Sequence, residues 1–216
     1  MIVVVGSPVH RAAIADGRSG VVGTGPSIAR GVVAAGGTVQ LVGKVGSDAA
    51  GDATLLALAR DGVGHAAMLR DPGRPTPVAP PVEPDDDPFA GAGPRSTAGP
   101  TVRPLPMDAD DLELALRYLA AFAVLVMADE MDQASLAVAT EAARYAGASL
   151  LIVLPDGVEA LDLPSEAIVL AGPPTDEDGI FADTVGTCAA ALERGLSPTD
   201  ALRAALAAAG WASATA

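Results

Sequence analysis

The stretch from Gly31 to Gly64 leaves this chain few folds to choose from. It reads GVVAAGGTVQLVGKVGSDAAGDATLLALARDGVG. Val39 to Val42 is an apolar run too short for a helix and bounded by glycines on both sides, so it reads as a buried strand. Gly43 to Gly46 is a turn. Ser47-Asp48 then opens a helix that closes near Asp61-Gly62, with Asp48 as its N-cap and Leu55, Leu58, Ala59 and Gly62 as its inward stripe. Strand, glycine turn and capped helix make one βα unit, and such units bury their strands in a parallel sheet covered by helices. Lys44 sits in the turn, where it meets either a ligand or solvent.

The remaining chain supplies matching pieces. Met1–Val5 is a first strand ended by Gly6-Ser7-Pro8. It lacks a basic leader, so it does not read as a signal peptide, and cytoplasmic residence is expected. Pro26 suits the first turn of a helix whose Ile28, Val32 and Ala35 share a face. The preceding glycines could cradle an anion on free N–H groups. Asp108 caps a helix with Asp111 three residues on; Leu112, Ala115, Leu116 and Leu119 form its stripe. Ala123–Met127 and Ser149–Leu154 are strands around a helix that stops at Gly147. Ala167–Leu170 is another short strand. A helix is expected over Thr184–Arg194, and Ser197-Pro198-Thr199-Asp200 starts a last one with Leu202, Ala205, Leu206 and Ala209 inward. Trp211 is expected to anchor the end.

Eleven of the chain's 18 prolines fall between Asp71 and Pro106. Proline removes backbone donors and blocks central strands, so a long loop is expected at 71–106 within a single domain spanning 1–216. Glu83-Pro84-Asp85-Asp86-Asp87 reads as a solvated charge run, with a divalent-ion site as the sharper alternative.

Composition excludes several classes. The net charge of −14 and the 3% aromatic content argue against nucleic acid, which needs basic clusters and stacking platforms. No apolar run approaches the ~20 residues of a membrane span. The lone cysteine, Cys188, excludes an intrachain disulfide and lies on an apolar helical stripe as a small core residue. Ligands of open parallel sheets gather at strand carboxyl ends, which makes Asp129 and Glu130 candidate site-facing carboxylates; Asp132 reads as a cap. Arg11, with His10, sits either in a solvated loop or where it could grip a phosphate or carboxylate.

The motif Val42-Gly43-Lys44-Val45-Gly46-Ser47-Asp48-Ala49-Ala50-Gly51, between Gly36-Gly37 and Asp61-Gly62-Val63, resembles the first signature of the ribokinase-like (PfkB) carbohydrate kinases. The resemblance implies a three-layer α/β/α fold with a mostly parallel sheet. The lid is reduced, as is the C-terminal nucleotide-binding part, since the chain stops where relatives usually continue. Relatives hold sugar hydroxyls with an Asp after the first turn, where this chain has His10-Arg11. They also use an Asn after a glycine pair, where Gly23, Gly25 and then Ile28 stand here. Glu130 matches a family Glu, and Asp129-Glu130 through Leu154-Pro155-Asp156 again resembles the family. The second signature, D-T-x-G-A-G-D, forms an anion hole for the transferred phosphoryl group and ends in the base. Counted backward from the Thr184 helix, Asp176 and Gly179 match its start. Phe181 and Ala182 take later glycine and aspartate places, and Asp183 falls one residue late, about 100° around a helix.

The resemblance therefore implies Arg11, Gly23, Gly25 and Glu130 toward substrate, Asp176 and Gly179 toward phosphate or nucleotide, Asp183 as base, and no metal ligands. Two readings follow. The preferred one is a degenerate relative that binds a small ligand of the sugar or nucleoside class, or a partner, without efficient phosphoryl transfer. The alternative is an ATP-dependent kinase with a rebuilt site, in which Asp176 and Asp178 hold Mg²⁺ beside ATP. A homodimer whose partner completes the cleft is a third, weaker reading.

Overall fold

A computed structural model describes residues 1–12, 20–80, 102–119, 121–154, 162–173, 176 and 178–210. In chain order the elements are β1 (Ile2–Val5), β2 (Val9–Arg11), β3 (Gly20–Val22), α1 (Thr24–Ala34), β4 (Val39–Val42), β5 (Lys44–Gly46) and α2 (Ala49–Arg60). There follow β6 (Leu69–Asp71), β7 (Val78–Ala79), α3 (Ala109–Arg117), β8 (Val124–Met127), α4 (Gln133–Ala146), β9 (Ser149–Leu154), β10 (Ile168–Ala171), α5 (Ile180–Glu193) and α6 (Pro198–Ala208). The charge run at 83–87, Pro155-Asp156-Gly157 and Trp211 lie outside the described residues.

Short β-branched runs with no polar face can only be buried on both sides. Five strands form one sheet in the order β10-β9-β8-β1-β4, with β1 and β8 buried throughout and β10 half-exposed at one edge. Every pairing in it is parallel. Alternate residues serve opposite faces. Ile2, Val4, Leu41, Val126 and Leu151 pack with Ile28 and Val32 of α1 and Val185 and Ala189 of α5. Val3, Val5, Val42, Leu125 and Ile152 pack with Leu112 and Leu116 of α3 and Leu136 and Ala139 of α4. This is the three-layer arrangement expected of a ribokinase-like chain.

Two small sheets stand beside the large one, β3-β2-β7 and β5-β6. Strand β7 lies inside the proline-rich segment expected to be loop. It is two residues long and pairs parallel with β2, between Pro77 and Pro80, so the prolines limit the strand without abolishing it.

The stripe of α2 is rotated from the expected one. Thr54, Ala57 and Leu58 are buried, whereas Ala59 is exposed. Thr54 can be buried because its hydroxyl donates to Ala50 O at 2.8 Å, a satisfaction that apolar counting does not register. Helix α5 begins at Ile180, four residues before the expected Thr184, for a reason given below.

Helices α1 and α5 cross with backbone against backbone. A Cβ built on Gly186 would lie 2.5 Å from Gly31 C and Val32 N. Overpacking of this kind costs roughly 1–3 kcal/mol. Gly186→Ala is therefore expected to lower urea-unfolding stability by about that amount. An unchanged midpoint would show that the crossing can open without cost.

Candidate active site

Two cavities flank the N-terminus of α1 at the carboxyl ends of the strands. The first, about 660 Å³, lies over β1 and β8 and is walled on its far side by residues 102–108. The second, about 630 Å³, lies between α1 and the start of α5. Val22, Gly23, Thr24 and Ala128 border both. Each is of a size that suits a small organic ligand.

The first cavity has mostly apolar walls, including Val5, Val22, Leu105, Met107, Leu112, Met127 and Met131. Its polar floor is Asp129, just past β8. Asp129 Oδ2 accepts from Ser7 N at 2.7 Å, a bond spanning 122 residues. Desolvation raises its pKa to about 6, opposed by that one hydrogen bond. Glu130, the sequence candidate, lines the same cavity and is exposed. Gly6 carries the chain between β1 and Ser7 and touches Gly25; a Cβ on Gly6 would lie 2.7 Å from Gly25 Cα and 3.3 Å from Asp129 Oδ1. Gly25 is thus buried as a packing residue and lines neither cavity.

Lys44 meets neither ligand nor solvent. It is 8% exposed, its ammonium pairs with Asp111, and its N–H donates to Ser7 Oγ. Asp111 is also the third residue of the α3 capping box with Asp108, so one carboxylate ties β5, a strand where a turn is expected from sequence, to the edge of the first cavity.

Asp48 is the N-cap of α2, as expected, accepting from Gly51 N at 2.8 Å. It does more: it also accepts from Thr76 N at 2.8 Å and Thr76 Oγ1 at 2.7 Å. Hydrogen bonding from Thr76 first, then Gly51, holds its pKa below the ordinary value. Asp48 therefore clamps the chain around Thr76 alongside β7. His10 is a buried member of β2, its Nδ1 3.3 Å from Thr54 Oγ1. Since that hydroxyl already donates to Ala50 O, the ring N–H is the donor.

The second cavity gathers Arg11, Gly23, Asp176 and Gly179, four of the residues singled out in sequence. Arg30 is engaged within it, donating to Val21 O and Ser27 Oγ, both at 3.1 Å. Arg11 Nε is buried with no hydrogen-bond partner among the described residues. Gly179, at φ 70°, is the N-cap position of α5. Asp176 folds back over it. Its Oδ1 accepts from Phe181 N at 3.0 Å and its Oδ2 from Ala182 N at 2.8 Å. That satisfaction of two orphan donors is why the helix starts early.

Ala182 lines this cavity and Asp183 does not. Asp183 is exposed and lies against α1; a Cβ on Gly31 would be 3.2 Å from its Oδ1. Among the described residues no three His, Cys, Asp or Glu side chains gather closely enough to hold a metal ion. The amides that a bound phosphate would need are already paired to a carboxylate, so the residues present do not fit a nucleotide phosphate at this helix.

The raised pKa of Asp129 has a defined stability signature. Relative to the ordinary 3.8, the folded chain holds this proton up to about pH 6. The contribution of Asp129 is fully present below the unfolded value and is lost as pH rises through about 6. Asp129→Asn should remove this dependence. Measured by urea unfolding against wild type, the variant is expected to gain up to ~3 kcal/mol between about pH 4 and pH 7. A difference that stays flat with pH would contradict it. Comparison with the variant is needed because Asp48 and Asp132, with depressed values, shift wild-type stability the opposite way.

Solved structures that share this architecture include a protein called Sa239, at TM-score 0.65 and 13% identity, covering 100% of this chain and 94% of that one. Ribokinase of Arabidopsis thaliana complexed with ribose and ATP matches at TM-score 0.62 and 17% identity, over 96% of this chain and 90% of that one. Phosphofructokinase-2 of Escherichia coli in complex with fructose-6-phosphate matches at TM-score 0.56 and 14% identity, over 96% and 91%. Likeness at such identities speaks for the fold. No curated protein sequence matches the chain. The sequence profile described as pfkB family carbohydrate kinase matches residues 10–171, well over half of the chain. The chain belongs to the PfkB carbohydrate kinase family.

Proposed function

We propose that this chain is a PfkB-family protein that binds a small organic ligand at the ends of β1 and β8 without efficient phosphoryl transfer to it. One observation carries the reading: the Asp176 carboxylate occupies Phe181 N and Ala182 N at the start of α5. Phosphoryl transfer rests on positioning and on stabilising the charge of the moving group. Donors already paired to a carboxylate do not do that, and a carboxylate in their midst repels an incoming phosphate. The base is also displaced. Ala182 faces the cavity, while Asp183 sits on the α1 side of the helix.

The small-ligand half of the proposal is supported by the cavity of about 660 Å³ over β1 and β8, with the part-buried carboxylate of Asp129 at its floor. Ribose and fructose-6-phosphate, bound in two of the related structures, make sugars and nucleosides the first ligands to try. No described helix is long and apolar enough to cross a membrane. That, with the buried free thiol of Cys188, fits a cytoplasmic setting.

A phosphotransfer assay with Mg·ATP and a panel of sugars and nucleosides tests the reading. Turnover is expected to stay at background for wild type and Asp183→Asn alike. ATP-dependent turnover that Asp183→Asn abolishes would overturn it.

A further inference from the structure

The chemistry of the first cavity narrows what it can hold, provided the proposal that it is a ligand site stands. Sugars carry hydroxyls around the whole ring and need several hydrogen-bonding side chains converging on them. Here the walls are mainly Val, Leu and Met. Thr24, Arg103 and Ser135, whose buried Oγ has no hydrogen-bond partner among the described residues, are too few polar groups to ring a sugar. Ser7, nearest the floor, is already used. Ser7 Oγ accepts from Lys44 N, and Ser7 N donates to Asp129. Lys44 of β5 is paired with Asp111, so its charge is already matched. Arg103 lines the cavity and makes no ion pair with Asp129 within the 4.0 Å that defines one.

Asp129 is left with one backbone donor on Oδ2, while Oδ1 has no hydrogen-bond partner among the described residues. A carboxylate in a largely apolar cavity with no cation paired to it is costly, and a charge-assisted hydrogen bond is the strongest compensation available to it. Glu130 at the rim adds a second negative charge, against Arg103 as the one cation of the lining.

We propose that the cavity over β1 and β8 selects a ligand with a protonated amine on an apolar body, the ammonium pairing with Asp129 and the body lying against Met107, Met127, Met131 and Leu112. Neither a polyhydroxylated sugar nor a phosphate-bearing one satisfies this set of groups as well. A phosphate would meet Asp108, Asp129 and Glu130 against the single cation Arg103, and most of the hydroxyls would face methionines.

Calorimetric titration with 2-phenylethylamine, 2-phenylethanol and D-ribose tests it, on the full chain near pH 7.5, where both amine and Asp129 are charged. Wild type is expected to bind the amine at least about tenfold more tightly than the alcohol, and ribose more weakly than either. Asp129→Asn should erase the preference for amine over alcohol while leaving alcohol binding in place. That retained binding shows the variant cavity is formed. Glu130→Gln should keep most of the preference. Equal affinities for amine and alcohol, a preference that survives Asp129→Asn, or no amine binding up to about 10 mM would overturn the proposal. Tighter binding of ribose than of the amine would also overturn it, yet leave the non-transferring ligand-binding reading intact. Phosphoryl transfer to ribose would sink that reading, without bearing on the amine preference.

Discussion

Helix α1 is held at two places where backbone meets backbone with no side chain between. At its first turn Gly25 rests on Gly6, at the end of β1. Halfway along, Gly31 rests on Gly186 of α5. Interiors are close-packed, so a helix lying this near the sheet and its neighbour cannot shift without opening voids or clashing. Everything with chemical content hangs from that placement. The N-terminus of α1 divides the strand ends into two cavities, and the crossing with α5 decides which first-turn residue of α5 faces the second. Ala182 is turned to the cavity because Asp183 is turned to Gly31.

Acidic residues outnumber basic ones 27 to 13, and several of them do local structural work. Asp48, Asp108 and Asp132 each accept the N–H three residues ahead and start a helix, as the neutral Ser197 does for α6. Asp176 does the same from a longer reach. Hydrogen bonds favour the ionised carboxylate: Thr76 first and then the cap bond from Gly51 hold Asp48 below its ordinary pKa, and the cap bond from Ser135 does so for Asp132. Asp129 differs. It has one donor, apolar surroundings and an open oxygen, and its pKa moves the other way. The contrast is between Asp176, satisfied by the amides of its own helix, and Asp129, left with an open oxygen in a cavity.

Much of the fold could be read from residue order. The strand at Val39–Val42, the caps at Asp48, Asp108, Asp132 and Ser197, and the αL stop at Gly147 are local signals, and each appears as expected, whereas the turn expected at Gly43–Gly46 is strand β5, formed by pairing with the distant β6. What could not be read is non-local. Gly186 is an isolated glycine inside a helix, a signal that usually means close packing, yet nothing along the chain names Gly31 as its partner. Lys44 looked free because Asp111 lies 67 residues away. Asp129 was a candidate by position, but its isolation follows from Ser7, Lys44 and the 102–108 segment arriving together. The backward count that set Ala182 in the base position relied on helix phase, which is local. The capture of two amides by Asp176 depends on the chain reversing at Gly179.

The account rests on the leading amides of α5 being held by the chain's own carboxylate. Backbone ¹⁵N–¹H spectra of the full chain, recorded as Mg·ATP is added, observe those groups directly. The Phe181 and Ala182 resonances are expected to stay in place at millimolar nucleotide and to move when Asp176→Ala frees them. Large saturable shifts of both resonances in the unaltered chain would mean that phosphate displaces Asp176, and the account would be wrong.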